Sequence, residues 1–188
     1  MKKRNKFSLS NYHLLTANMG ELIPVYWEEL LPGTTVRQQS SFLIRCGVVP
    51  LSPIMHPVMF RCHIFDVPYR QIWEGFGEFI TGFDADGDAT TETWPYINLN
   101  TNVVTESSIY DYMGLPVIDY TGKGMHVSAL PFRAYNHIYN NFYRDAQIID
   151  ALTLDTTGGA DTTSYATQKV SWPKDFVTTI RPYRQLGS

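Results

Sequence analysis

Cys46, His56, Cys62 and His63 lie in one short stretch and offer thiolate and imidazole groups of the kind that bind zinc. Cys62 and His63 are adjacent, and on an extended chain neighbours point to opposite faces, which divides the set. Two buried thiols beside an ordinary histidine are the better reading. With two cysteines and no CxxC spacing there is no disulfide framework, and a reducing compartment is expected. Asp84, Asp86 and Asp88 place three carboxylates at alternate positions, like the opening of a calcium loop. The register then fails, because Ala89 stands where the loop glycine belongs and Pro95 where the bidentate glutamate belongs. A solvated turn is favoured over metal ligation by these three residues. His13, His126 and His137 are scattered, and pairing His137 with Asp145 would be arbitrary. No nucleophile elbow, Walker, dinucleotide or HExxH motif occurs, so nothing specific supports an enzyme or a cofactor.

The remaining chemistry is electrostatic. Lys2, Lys3, Arg4 and Lys6 occupy the first ten residues without an acid. They can neutralise about four phosphates of a nucleic acid without reading its sequence. A solubilising terminus is the alternative. The rest of the chain is more acidic than its total of −3, which excludes wholesale coating by nucleic acid.

These groups must be positioned by a chain of 188 residues that is poor in charge (18%) and rich in aromatics (14%). Such a surface would be adhesive on a monomer, so much of it is expected to be covered by partners. No apolar run reaches the ~20 residues of a membrane span. Ser8, Ser10, Asn11, His13, Thr16 and Asn18 interrupt the apolar stretch that a secretory leader would need after the basic start.

Residues 14–31 lack a clean period and contain Pro24, which predicts an extended or irregular segment packed on something. Alternation predicts strands over Thr34–Val49 and Pro57–Val67, with at least half-buried faces. The three prolines of Pro50–Pro57 fit a crossing between sheets better than a tight hairpin. Ile72, Trp73, Phe76, Phe79 and Ile80 predict a short helix over 71–80, followed by an exposed loop over 81–96. Residues 101–105 and 125–130 are weaker strand candidates. The strongest helix begins at Pro131, with Phe132, Tyr135, Ile138, Tyr139, Phe142, Ala146 and Ile149 on one stripe. Its polar face, including Arg133, Asn136, His137 and Asn140, suits a hydrogen-bonded contact surface. Asp155–Thr167 reads as a mobile loop.

Four blocks of this sequence resemble the N-terminal part of the major capsid protein of microviruses (Microviridae), particularly the gokushovirus-like branch. They are FSLSNYHLLTANMGELIPVYWEELLPGTTVRQQSSFLIR, LSPIMHPVMFRCHIFDVPYRQIWEGFGEFITG, ALPFRAYNHIYNNFYRDAQ and SWPKDFVTTIRPYRQLG, in the family's order. The resemblance implies a mainly β fold, a viral jelly roll with long loops and short helices, incomplete within these residues. It implies a bacteriophage virion: a T=1 icosahedral shell of identical subunits around circular single-stranded DNA, assembled in the bacterial cytoplasm. A small basic DNA-binding protein and other virion proteins would be partners, and basic residues such as Lys2, Lys3, Arg4 and Lys6 are candidates for the genome-facing role. On this reading residues 1–33 are a basic arm and extended segment, and 34–188 hold the first strands with inserted loops and helices. Members of the family are longer, so the chain is expected to be either the first part of a longer protein or one whose missing strands another chain supplies. A jelly-roll carbohydrate-binding module is the alternative function.

Overall fold

The structure is a computed structural model, and it describes residues 5–47, 51–53, 55–100, 103–146 and 148–171. Contacts divide the chain into two units, Met1–Trp27 with Val67–Ser188, and Glu28–Asp66. Among the described residues, small sheets and a few helices are embedded in a chain that is mostly neither.

The larger unit is organised by helix α4, Leu130–Ile138. Pro131 sits in its first turn, where a missing N–H breaks no bond, and the Ser128 Oγ accepts from the Leu130 N–H at 3.4 Å. Phe132 and Tyr135 project into one apolar cluster with Ile97, Leu99, Val104, Ile109, Tyr120 and Tyr165. Leu130 projects into a second, with Ile72 and Trp73. One helix therefore forms a wall of both clusters. The helix gives way to a π-helical turn at Tyr139–Tyr143, where the Arg144 N–H reaches back to the Tyr139 carbonyl at 2.9 Å. The wider turn ends the predicted stripe at Tyr139, and Phe142 is exposed. Asn140 shows why: its amide bonds the Leu152 N–H at 2.8 Å and the Leu152 carbonyl at 2.9 Å, favouring a link to the loop over continued helix.

The helix predicted over 71–80 is two short ones, α1 (Tyr69–Ile72) and α2 (Phe76–Thr81). Between them the chain is extended at Trp73, which is fully buried against Phe76, Phe79 and Trp94. Burying that indole outweighs one turn of weak, glycine-containing helix. The break also brings Gly75 against Glu92, whose carboxylate accepts from the Trp73 Nε1–H at 3.4 Å. Gly158 closes on the same carboxylate from another segment, so a Cβ at either glycine would collide with it.

Strands β2 (Tyr96–Asn98), β3 (His126–Ser128) and β4 (Ala160–Asp161) form a sheet in the order β3-β2-β4. β2 is antiparallel to β3 and parallel to β4, with Ile97 opposite Val127 and Asp161. The pleat that turns Ile97 inward therefore turns Asp161 inward as well. The segment expected to be a mobile loop is instead tied down by this carboxylate. The Arg133 Nε donates to the Asp161 Oδ2 at 2.7 Å, and neither side chain is exposed. Arg133 Nη1 donates to the carbonyls of Thr157 at 2.9 Å and Ile72 at 3.2 Å, and its Nη2 faces Asp155 at 3.6 Å. Asp161 also accepts from the Tyr165 hydroxyl at 2.9 Å and the Thr163 N–H at 2.8 Å. The polar face of α4, expected to be a hydrogen-bonded contact surface, is one at Arg133, Asn136 and Asn140, with those partners in the same chain.

Residues 14–31 are irregular, as expected, but only 21–25 are half-buried and the rest are exposed, so the segment is held at a few points instead of being packed throughout. β1 (Glu21–Leu22) pairs antiparallel with β5 (Gln168–Lys169), and the Tyr135 hydroxyl donates to the Leu22 carbonyl at 2.9 Å while accepting from the Gln168 N–H at 2.8 Å. Tyr112 donates to the Thr16 carbonyl at 2.9 Å, and Trp27 Nε1 to that of Met113 at 3.4 Å. The candidate strand over 125–130 is realised as β3, and at 101–105 Val103 makes an isolated antiparallel bridge to Asp119.

Removing one partner of a buried pair leaves an uncompensated charge. Arg133→Met should lower the urea-unfolding free energy by about 3–5 kcal/mol. Combined with Asp161→Leu the loss should be smaller than the sum of the two single losses; strict additivity would show that the two groups are not coupled.

Stability should also depend on pH at both ends. Burial raises the Asp161 pKa, but the hydrogen bonds from Arg133, Thr163 and Tyr165 outweigh it and hold the carboxyl below its usual range. Its contribution is full above the unfolded carboxyl's value near ~3.9 and is lost as pH falls through the depressed folded value. Burial, above all, pushes the Tyr135 phenol up to about 12. The unfolded phenol ionises near ~10, so stability should fall as pH climbs from there towards the folded value. Melting temperatures between pH 7 and 3 should fall less for Asp161→Asn, and those between pH 9 and 11.5 less for Tyr135→Phe, than for the native chain.

Candidate functional site

The candidate zinc and calcium ligands all lie at exposed or half-exposed positions. Cys46 and Cys62 are exposed, which corrects the expectation of buried thiols. They sit on the two segments predicted as strands, and neither segment is covered by other residues of its unit. Asp84 uses its Oδ1 to accept from the N–H groups of Asp86 at 3.0 Å and Asp88 at 2.8 Å, inside a turn closed by the Phe83–Ala89 bridge. Among the described residues no three His, Cys, Asp or Glu side chains are grouped to hold a metal ion. Of the basic arm, Lys2, Lys3 and Arg4 lie outside the described residues, and Lys6 is exposed.

What the larger unit offers is structural polar chemistry. Tyr165, hydrogen-bonded to Asp161, is pushed well above the ordinary phenol range by burial and then by that carboxylate's charge. It is therefore a fixed donor, with no readily released proton.

The exposed apolar surface is concentrated elsewhere. Within Glu28–Asp66 a turn closes at Leu31–Thr34, with the Thr34 N–H on the Leu31 carbonyl at 3.1 Å. After it the described residues of 34–49 and 57–66 form no strand. This corrects the two strand assignments, and the reason is pairing. A strand is stable when neighbouring backbone satisfies its N–H and C=O groups, and a lone extended ribbon has none to offer. The two segments touch through Phe42 and Phe60, whose ring centroids are 5.0 Å apart. Around that contact both faces are open: Leu43 is 81% exposed, Ile44 60%, Met59 73% and Ile64 72%. Full burial of such side chains against a partner is worth roughly 1.5–3 kcal/mol each. A contiguous surface of this kind marks an interaction site. Its alternation was legible in the sequence, but its exposure was not, because alternation reports which residues want cover and not what supplies it.

Sequence reasoning missed the Arg133–Asp161 pair. The available signal was slight: an arginine set between Phe132 and Tyr135, both on the apolar stripe, and an aspartate in a loop rich in threonine and glycine.

Both thiols should therefore react with a chromogenic disulfide reagent in the native protein without denaturant. Labelling that waits for urea would contradict their placement. Phe60→Ser should leave the thermal melt of the larger unit within about 0.5 kcal/mol of native, as surface changes do.

Comparison with known proteins agrees with the surface. The chain is 31% identical over 185 residues to capsid protein VP1 of Bdellovibrio phage phiMH2K, covering 98% of this chain and 34% of the relative. It is 36% identical over 168 residues to capsid protein VP1 of Chlamydia phage 1, covering 85% and 27%. Against capsid protein VP1 of Spiroplasma virus 4 it is 28% identical over 163 residues, covering 82% and 28%. The chain thus spans about a third or less of the length of these curated relatives. They lend no support to a carbohydrate-binding reading. The model of the phage capsid protein (F protein) family matches residues 1–188, the whole of the sequence, and the chain belongs to that family.

Proposed function

We propose that this chain is structural material of a microvirus shell, the part of the major capsid protein that contributes its first strands and the packed unit around α4. The observation that carries the reading is the open apolar ribbon of 34–47 and 57–66 in a chain of the capsid protein family. Paired and covered, those segments become neighbouring strands of a jelly roll, in opposite sheets. The chain acts without catalysis. Its work is to bury charge-poor, aromatic surface against identical copies, each contact weak and the sum over a closed T=1 shell strong. Circular single-stranded DNA lies within, with Lys2, Lys3, Arg4 and Lys6 among the groups that meet its phosphates. A small basic protein and other virion components share that space. The chain's place is the virion, assembled in the host cytoplasm. Among the described residues no helix is long and apolar enough to cross a membrane.

Sedimentation and electron microscopy of phage particles should find this chain in closed shells of uniform size, resistant to dilution. A chain recovered only as a discrete monomer would refute the assignment. Deleting residues 1–6 should lower genome retention in rising salt. Loss of four phosphate contacts should flatten the log–log salt dependence of DNA binding by about 3, and an unchanged slope would remove the arm from the interface.

A further inference from the structure

Charge is segregated along this chain. Residues 30–65 contain no acid, although the sequence has 18 in 188 residues, and they hold Arg37, Arg45, Arg61, His56 and His63. The stretch lies within the Glu28–Asp66 unit, whose acids Glu28, Glu29 and Asp66 stand at its two ends. All three arginines are exposed, and among the described residues none of their guanidiniums makes a hydrogen bond or an ion pair. Like charges with no carboxylate between them set up a positive field that favours a polyanion.

Rings accompany these charges. His63 and Phe65 meet edge to face with centroids 6.2 Å apart, both exposed, and Arg61 stands two residues before His63. Arg37, Arg45, Arg61, His63 and Phe65 all occupy odd positions, whereas Phe42 and Phe60, the rings through which the two segments touch, occupy even ones. On extended backbone that parity sets the cations and the exposed rings on one side of each segment, opposite the contact. Cover over the even side leaves them accessible together.

We propose that residues 37–45 and 59–65 bind single-stranded nucleic acid, with Arg37, Arg45 and Arg61 on its phosphates and the His63 and Phe65 rings against its bases. Guanidinium forks match phosphate oxygens, and an exposed ring stacks with a base that no duplex holds. An acidic protein surface would satisfy the arginines and leave the rings unused, so the combination selects the nucleic acid. This contact rests on the shell reading above and is separate from the N-terminal arm.

Fluorescence anisotropy of the full chain with labelled oligo(dT) at rising salt tests both features. Arg37→Gln, Arg45→Gln and Arg61→Gln together should flatten the log–log salt dependence by about 2, with or without residues 1–6, and the matching lysine triple should keep the slope. Phe65→Leu retains apolar bulk without a ring; it should weaken binding to the strand about fivefold and leave binding to an oligo(dT)·oligo(dA) duplex unchanged. An unchanged slope in the glutamine triple would overturn the proposal, and if that triple also lost self-association in sedimentation the face would be a contact between copies. Phe65→Leu binding the strand normally, or losing strand and duplex equally, would overturn it as well. If either failure occurs while closed shells still form, the assembly reading stands and this face alone is wrong. A native chain that shows the expected DNA binding but forms no shells counts against the assembly reading instead.

Discussion

The larger unit depends on a charge held out of water. Asp161 is turned inward by the pleat of a two-residue strand, beside Ile97, where a lone carboxylate would not be tolerated. Arg133 makes the arrangement possible, and because its guanidinium also holds the carbonyls of Ile72 and Thr157, one side chain fastens α1, α4, β4 and the loop before β4. The geometry has a directional strength that an apolar contact lacks. Apolar packing would accept many registers of β4 against β2; a fork of donors aimed at one carboxylate and two carbonyls accepts few.

Other polar contacts repeat the same tactic on a smaller scale. Asn140 holds Leu152 by both backbone groups, and the Tyr135 hydroxyl sits between β1 and β5 as a joint donor and acceptor. The short strands cannot stabilise themselves. Side chains from α4 and the π turn take over much of what longer ladders would do, which is why the chain holds its position with so little regular structure.

How much of this was legible follows from where the information resides. Pro131 and the spacing of Phe132, Tyr135 and Tyr139 announce α4, because helix period and a first-turn proline are local properties. The split at Trp73 was hidden, since it depends on Phe79 and Trp94 arriving from later in the chain. The inward turn of Asp161 was equally hidden, because it is set by pairing with β2, more than sixty residues earlier. In 34–47 and 57–66 the alternation predicted strands with half-buried faces, and the chain supplies neither the pairing nor the cover within its own unit. Family membership was legible for a different reason: it is carried by long blocks of sequence and needs no knowledge of contacts.

Glu92, pressed between Gly75 and Gly158, has a consequence for how this protein can vary. The three positions share a single small volume, so their tolerances are not independent. An alanine at Gly75 requires the acid to swing aside or be shortened, which releases the hydrogen bond from the Trp73 indole; at Gly158 the Thr93 carbonyl, 2.6 Å from where the methyl would sit, stands in the way as well. Substitution at Gly75 therefore gives up a bond as it gains a methyl, while Gly158 is kept small by backbone whatever stands at position 92. Two glycines in separate segments thus answer to one side chain, and the second of them to the backbone beside it as well.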